Sequence, residues 1–169
     1  MEIPIGPGVI LLGLGPGSPD HLTREAWALL QQVPEIYVRT SAHPLISHLP
    51  QSLKIHSFDS LYESAAGFQE IYEKIITEVL ALARRPQGVV YAVPGHPFVA
   101  EATAPEIARQ ASEAGLSVRV IEGLSFLGPT FSTLGVDPFN QMSLIDALDL
   151  VRAHYPAIPP DQPALIAQI

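Results

Sequence analysis

Three short stretches concentrate glycine, proline and small polar residues: Gly13-Leu14-Gly15-Pro16-Gly17-Ser18, Pro94-Gly95-His96-Pro97 and Glu122-Gly123-Leu124-Ser125-Phe126. Glycine allows close approach of a ligand to the backbone and proline fixes the chain around it, so such loops suit recognition by amides and carbonyls. The first fits a dinucleotide fingerprint poorly, because Ser18 stands where the third glycine belongs and Pro16 removes an N–H that would face a pyrophosphate. Nor is it a phosphate-binding P-loop, since no Gly-Lys-Ser/Thr follows. Two readings of it stay open: a sharp strand-to-helix turn, or one wall of a ligand site.

The side chains in and around these loops offer little acid-base or nucleophilic chemistry. His96 reads as a polar residue at the start of a helix more readily than as a base, since no carboxylate is matched to it in sequence. Ser125 lies in no Gly-x-Ser-x-Gly elbow, and reads as the N-cap of "FLGPTFSTLG". His43 and His48 are spaced so that they share a helix face poorly, and no His-Glu-x-x-His occurs, so no metal site is expected. The chain has no cysteine, which removes disulfides, thiolate zinc sites and cysteine nucleophiles together.

The elements that must carry these loops are legible from periodicity. Val9 to Leu12 is a short apolar run bounded by Gly8 and Gly13, which predicts a buried parallel strand. Ser18-Pro19-Asp20 offers a capping oxygen, a first-turn proline and an acid at the positive helix end, so a helix should follow, with Leu22, Ala26, Leu29 and Leu30 on its apolar face. "EIYVRT" and "SLKIHSF" read as strands two and three, with a helical turn at "HPLISHL" between them. The next segment, "GFQEIYEKIITEVLALARR", is the strongest helix, with Phe68, Ile71, Ile75, Val79 and Leu82 in line. "GVVYAV" and "SVRVI" read as strands four and five, flanking a helix in "FVAEATAPEIARQASEAG" that is interrupted near Pro105 and ended by Gly115. Trp27 and the aromatic residues of the long helix fall among apolar faces and are expected in the core.

Repeated alternation of strand and helix predicts an α/β fold: an open, mostly parallel sheet with helices on both faces, spanning residues 1–136. In such sheets ligands bind beyond the carboxyl ends of the strands, which is where all three loops fall. Residues 137–169 read as a linker and the first strand, Ala164 to Ile169, of a second α/β domain of which only the opening is present. The exposed edge of that strand could pair with another copy of the chain.

Length and composition agree with one compact domain: 169 residues, 47% hydrophobic and 15% charged. Nine basic residues face seventeen acidic ones, for a net charge of -8, without a basic cluster beyond Arg84-Arg85, which argues against nucleic-acid binding. Glu2 stands where a secretory leader would be basic, and no apolar run reaches membrane-spanning length, so the expectation is a cytoplasmic protein without a membrane partner.

Taken together, "GLGPGSPDHLT", "AVPGHPFVAEAT" and "IEGLSF", in this order and between these strands, resemble the tetrapyrrole (corrin/porphyrin) methylase family over nearly the whole chain. The resemblance implies an S-adenosylmethionine-dependent methyltransferase of two α/β domains, a homodimer with the cofactor between its domains, acting on a small-molecule acceptor. It also implies cofactor contacts at Pro16, Pro94, Gly95, His96, Val99, Ser125 and Phe126. "YVRTSAHP" and "VPGHP" look most like the branch fused to a C-terminal MazG-type nucleoside triphosphate pyrophosphohydrolase. Two positions depart from the porphyrinogen methylases: His96 replaces the acid of their Gly-Asp-Pro loop, and Val38 follows Tyr37 where they carry an aspartate. No catalytic residue is assigned, and a fragment holding half of the cleft is expected to be inactive alone. Loss of those acids admits a second reading, a non-catalytic S-adenosylmethionine or nucleotide sensor serving a fused hydrolase. A third, a nicotinamide-dependent oxidoreductase, is disfavoured by Pro16, Ser18 and the lack of an acid at the end of strand two, although Arg39 there could meet a phosphorylated ribose.

Overall fold

Val, Ile and Leu dominate the central strands, and every residue of β1 (Gly8–Gly13) and β4 (Val89–Val93) is buried, as strands covered on both faces require. The structure, a computed structural model, describes residues 6–64 and 67–168; Glu2 and Ile169 lie outside them. With β2 (Glu35–Val38), β3 (Lys54–Ser57) and β5 (Ser117–Ile121), these strands form one parallel sheet in the order β3-β2-β4-β1-β5. The α/β architecture expected from the alternation is the one observed.

Strand side chains alternate between two cores. Val9, Leu11, Val89, Tyr91 and Val93 meet α3 (Phe68–Ala83) and α4 (Thr103–Glu113) through Ile71, Ile75, Val79, Ala104 and Ile107. Ile10, Leu12, Val90 and Ala92 face the other way, onto Ala26, Leu29 and Leu30 of α1 (Arg24–Leu30) and onto Leu45, Leu49 and Leu53. A strand's period of two thus delivers one helix layer to each face.

Four local expectations are corrected. Ser18 caps only a single 3-10 turn, Pro19–His21, and α1 begins at Arg24, where the Thr23 hydroxyl accepts from the Ala26 N–H at 3.1 Å. Pro105 does not interrupt a helix: α4 starts at Thr103, which puts the proline in the first turn, where its N–H would be unsatisfied anyway. Trp27 and Phe68 are not core residues; they are 40% and 60% exposed, because Trp27 lies off the buried stripe of α1 and Phe68 sits in the exposed first turn of α3. A short helix, α2 (Asp59–Ser64), follows β3 where no element was expected.

The chain divides into two compact units, Met1–Phe126 and Leu127–Ile169. The second contains α5 (Leu127–Leu134), β6 (Ser143–Asp146), α6 (Ala147–Arg152) and β7 (Ala164–Ala167). β6 and β7 pair in parallel, Ser143 with Ala164 through Asp146 with Ala167, so one edge of the terminal strand is taken by a strand the periodicity did not reveal.

Candidate functional site

The order β3-β2-β4-β1-β5 sends the chain from β1 towards β2 on one side and from β4 towards β5 on the other. The crossover helices α1 and α4 lie on opposite faces, so the carboxyl ends of the neighbours β1 and β4 form the switch point at which open α/β sheets bind ligands.

At this point the glycine loops lock together through their main chains. The Gly15 N–H donates to the Gly95 carbonyl at 3.1 Å, and the Gly95 N–H donates back to the Gly15 carbonyl at 2.8 Å. Gly15 and Gly95 both have positive φ, 73° and 67°, which L side chains rarely adopt. Gly123 closes the third side: a Cβ on Gly13 would fall on the Gly123 amide and 2.7 Å from the Gly95 oxygen. The loops after β1, β4 and β5 therefore meet backbone to backbone. Thr23, having capped α1, donates its hydroxyl to the Glu122 carbonyl at 3.2 Å and ties the β5 end to the same helix.

The loop after β2 braces this cluster from one flank. Asp59, at the start of α2, accepts from the Ser41 N–H at 2.9 Å and from the Ser41 and Ser57 hydroxyls. Burial pushes its carboxyl up, but these hydrogen bonds outweigh it and hold Asp59 below the usual carboxylate range. Two residues after Ser41, the buried His43 places Nε2 3.0 Å from the Gly15 carbonyl. Burial lowers the His43 pKa, against the opposing effect of that hydrogen bond.

A second polar network lies where the same loop meets the approach to α4. Arg39 pairs with Glu101 at 3.0 Å, donates to the Tyr62 hydroxyl at 3.3 Å and stacks over Tyr72. The Glu101 side chain is 2% exposed and also accepts the Thr103 N–H, while the Thr103 hydroxyl is 2.8 Å from that of Tyr91. Burial works against the Arg39 charge, yet Glu101 and Tyr62 outweigh it and raise its pKa. Burial and the Glu101 charge raise the pKa of Tyr91.

Pro16 follows Gly15 directly, Pro94 and His96 flank Gly95, and Ser125 and Phe126 continue the chain just beyond Gly123. His96 is not at a helix start: its Nδ1 accepts the Phe98 N–H at 3.0 Å and its carbonyl accepts the Val99 N–H at 3.1 Å, so it folds its own tight turn. Val99 sits in that turn. Among the described residues no group of three or more His, Asp or Glu side chains could hold a metal ion, and no helix is long and apolar enough to cross a membrane.

Residues 8–162 match the family described as Tetrapyrrole (Corrin/Porphyrin) Methylases. The chain belongs to that family. This methylase-family chain is 41% identical over 140 residues to uncharacterized protein YabN of Bacillus subtilis (strain 168), and the match covers 82% of the chain. It spans 28% of YabN's length. Its fold is that of uroporphyrin-III C-methyltransferase from Thermus thermophilus, with a TM-score of 0.65 at 22% identity over 95% of this chain and 67% of that one. A structure of the Thermus enzyme complexed with S-adenosyl homocysteine matches at a TM-score of 0.55, 22% identity, over 82% of this chain and 58% of that one.

Sequence reasoning weighed His43 only as a metal ligand and passed over Glu101 and Thr103. The signal for His43 was its place before a proline in the loop that follows a buried strand; nothing local marks Glu101, whose partner Arg39 is 62 residues away.

Proposed function

We propose that the chain is the N-terminal part of an S-adenosylmethionine-dependent methyltransferase with a small-molecule acceptor. The observation that carries this reading is the main-chain junction of Gly13, Gly15, Gly95 and Gly123 at the β1/β4 switch point, in a member of this family. The S-adenosyl homocysteine complex of the Thermus enzyme supports the choice of ligand. A backbone-lined site suits such a ligand, because uncharged amides and fixed turns orient it by shape. Pro16, Pro94, Gly95, His96, Val99, Ser125 and Phe126 are the residues proposed to hold it. S-adenosylmethionine supplies a methyl group already activated on a sulfonium, so the protein's part is alignment and exclusion of water, without a triad or a metal.

In this reading residues 1–136 form the methylase-like domain and residues 137–169 lead into a second α/β domain that completes the cleft. The fragment is then inactive by itself, and the full-length protein is a cytoplasmic homodimer carrying a MazG-type domain.

A specific observation favours a second reading, a sensor of S-adenosylmethionine or a nucleotide that regulates a fused hydrolase. Three ionisable side chains near the loops are already engaged: His96 Nδ1 by the Phe98 N–H, His43 Nε2 by the Gly15 carbonyl, and Glu101 by Arg39 and the Thr103 N–H.

Calorimetric titration of S-adenosylmethionine, S-adenosylhomocysteine and NADP into this chain and into a form extended through a second domain tests both. Binding of the two S-adenosyl compounds to the extended form supports the site. Binding of NADP alone overturns it. Transfer of labelled methyl to a small-molecule acceptor separates the enzyme from the sensor, which would instead change nucleotide hydrolysis by the full-length protein.

A further inference from the structure

We infer that His43 is the positioning residue of the first glycine loop, holding through its imidazole the Gly15 carbonyl on which the loops after β1, β2 and β4 converge. The role assigned to that loop rests on the proposed S-adenosylmethionine site; the positioning itself rests on geometry.

A carbonyl oxygen has two lone pairs, and both of those on Gly15 are used, one by the Gly95 N–H at 2.8 Å and one by His43 Nε2 at 3.0 Å. A carbonyl only accepts, so Nε2 carries the proton. In the neutral ring Nδ1 is then bare, and Nδ1 is buried with no hydrogen-bond partner among the described residues. An ordinary core imidazole would satisfy both nitrogens. Here one nitrogen is left unpaired while the other serves a carbonyl 28 residues away.

Pro44 adds a second contact on the far side of Pro16: a Cβ built on Gly17 would meet Pro44 Cγ at 3.3 Å. His43 and Pro44 therefore seat Gly15 and Gly17, the two neighbours of Pro16. The seat is itself fixed, since the Ser41 N–H and hydroxyl are both held by Asp59. The chain of support runs from Asp59 through the β2 loop to Gly15, and from Gly15 across to Gly95.

Two substitutions separate donor from shape. His43→Gln keeps an N–H donor near the position of Nε2; His43→Phe keeps a ring and removes the donor. Nitrogen-15 NMR of the wild-type 169-residue chain should show His43 protonated on Nε2 and not on Nδ1. Amide exchange of Gly95 should accelerate roughly fivefold to tenfold in the Phe variant, the size expected for loss of one hydrogen bond, and return towards wild type in the Gln variant. In the form extended through a second domain, affinity for S-adenosylhomocysteine should follow the same order. If that extended form binds no S-adenosylhomocysteine but the exchange pattern holds, the proposed function fails and the positioning role stands. Equal Gly95 exchange in the Phe variant and the wild type overturns the inference. If the Phe variant does not fold, an Nδ1–H tautomer in the wild type, or Gly95 exchange in the Gln variant at least tenfold faster than wild type, overturns it.

Discussion

At the scale of single residues, backbone contact explains why two of the loop glycines tolerate nothing larger. A methyl group on Gly123 would fall against the Gly95 oxygen and the Gly13 backbone, groups that cannot swing aside. Gly123→Ala is therefore expected to cost about 1–3 kcal/mol as an overpacked contact, read by chemical denaturation, and to weaken S-adenosylhomocysteine binding in calorimetry. His43 gives a pH dependence of definite sign. Its folded pKa lies below the ordinary imidazole value, so the unfolded chain takes up the proton first as pH falls. Stability from this group is complete above about pH 6.5 and is lost as pH drops from there through the lower folded value. Thermal melts at about pH 7.5 and 5.5 should show a larger drop for wild type than for His43→Gln. The sequence marks both residues but not their partners: a glycine in a turn and a histidine before a proline look alike whether or not another loop lies against them.

At the scale of elements, helix faces were readable and the starts of α1 and α4 were not. Periodicity placed Ile71, Ile75 and Val79 inward, and they are buried; extending the same stripe to Phe68 failed because the first turn of α3 overhangs the core. Ile75→Ala should cost about 2–5 kcal/mol and Phe68→Ala less than about 0.5, compared by urea unfolding. Thr23 was not recognised as the cap of α1 because Ser18 offered the same chemistry five residues earlier. Thr23→Ala is expected to cost about 1 kcal/mol, with the further effect of releasing the Glu122 carbonyl at the end of β5.

At the scale of the whole molecule, the buried hydrophobic residues among those described all precede residue 122, while Phe139, Val151 and Tyr155 are more than four-fifths exposed. The two units should accordingly differ in stability: native-state hydrogen exchange at β6 and β7 should be at least about a hundredfold faster than at β1 and β4. Uniform protection across both sheets would contradict this. Within the first unit, the pair of half-buried Arg39 and buried Glu101 links the end of β2 to the approach to α4. Glu101→Ala leaves the Arg39 guanidinium without its carboxylate, for an expected loss of about 2 kcal/mol in denaturant unfolding; a loss below about 1 would mean that water already screens the pair.

The sequence by itself determined the α/β class, the five strands of the parallel sheet and the three loops at their carboxyl ends, because hydrophobic period and turn chemistry are local properties of a few adjacent residues. It also carried the family resemblance, since "GLGPGSPDHLT", "AVPGHPFVAEAT" and "IEGLSF" keep their order and spacing. Only the tertiary structure decided that β1 and β4 are neighbours and that Gly15 bonds Gly95. It alone decided, too, that His43 reaches Gly15 and that Arg39 finds Glu101. These contacts join residues 28 to 80 positions apart and exist only once the strand order has brought the loops to one end of the sheet.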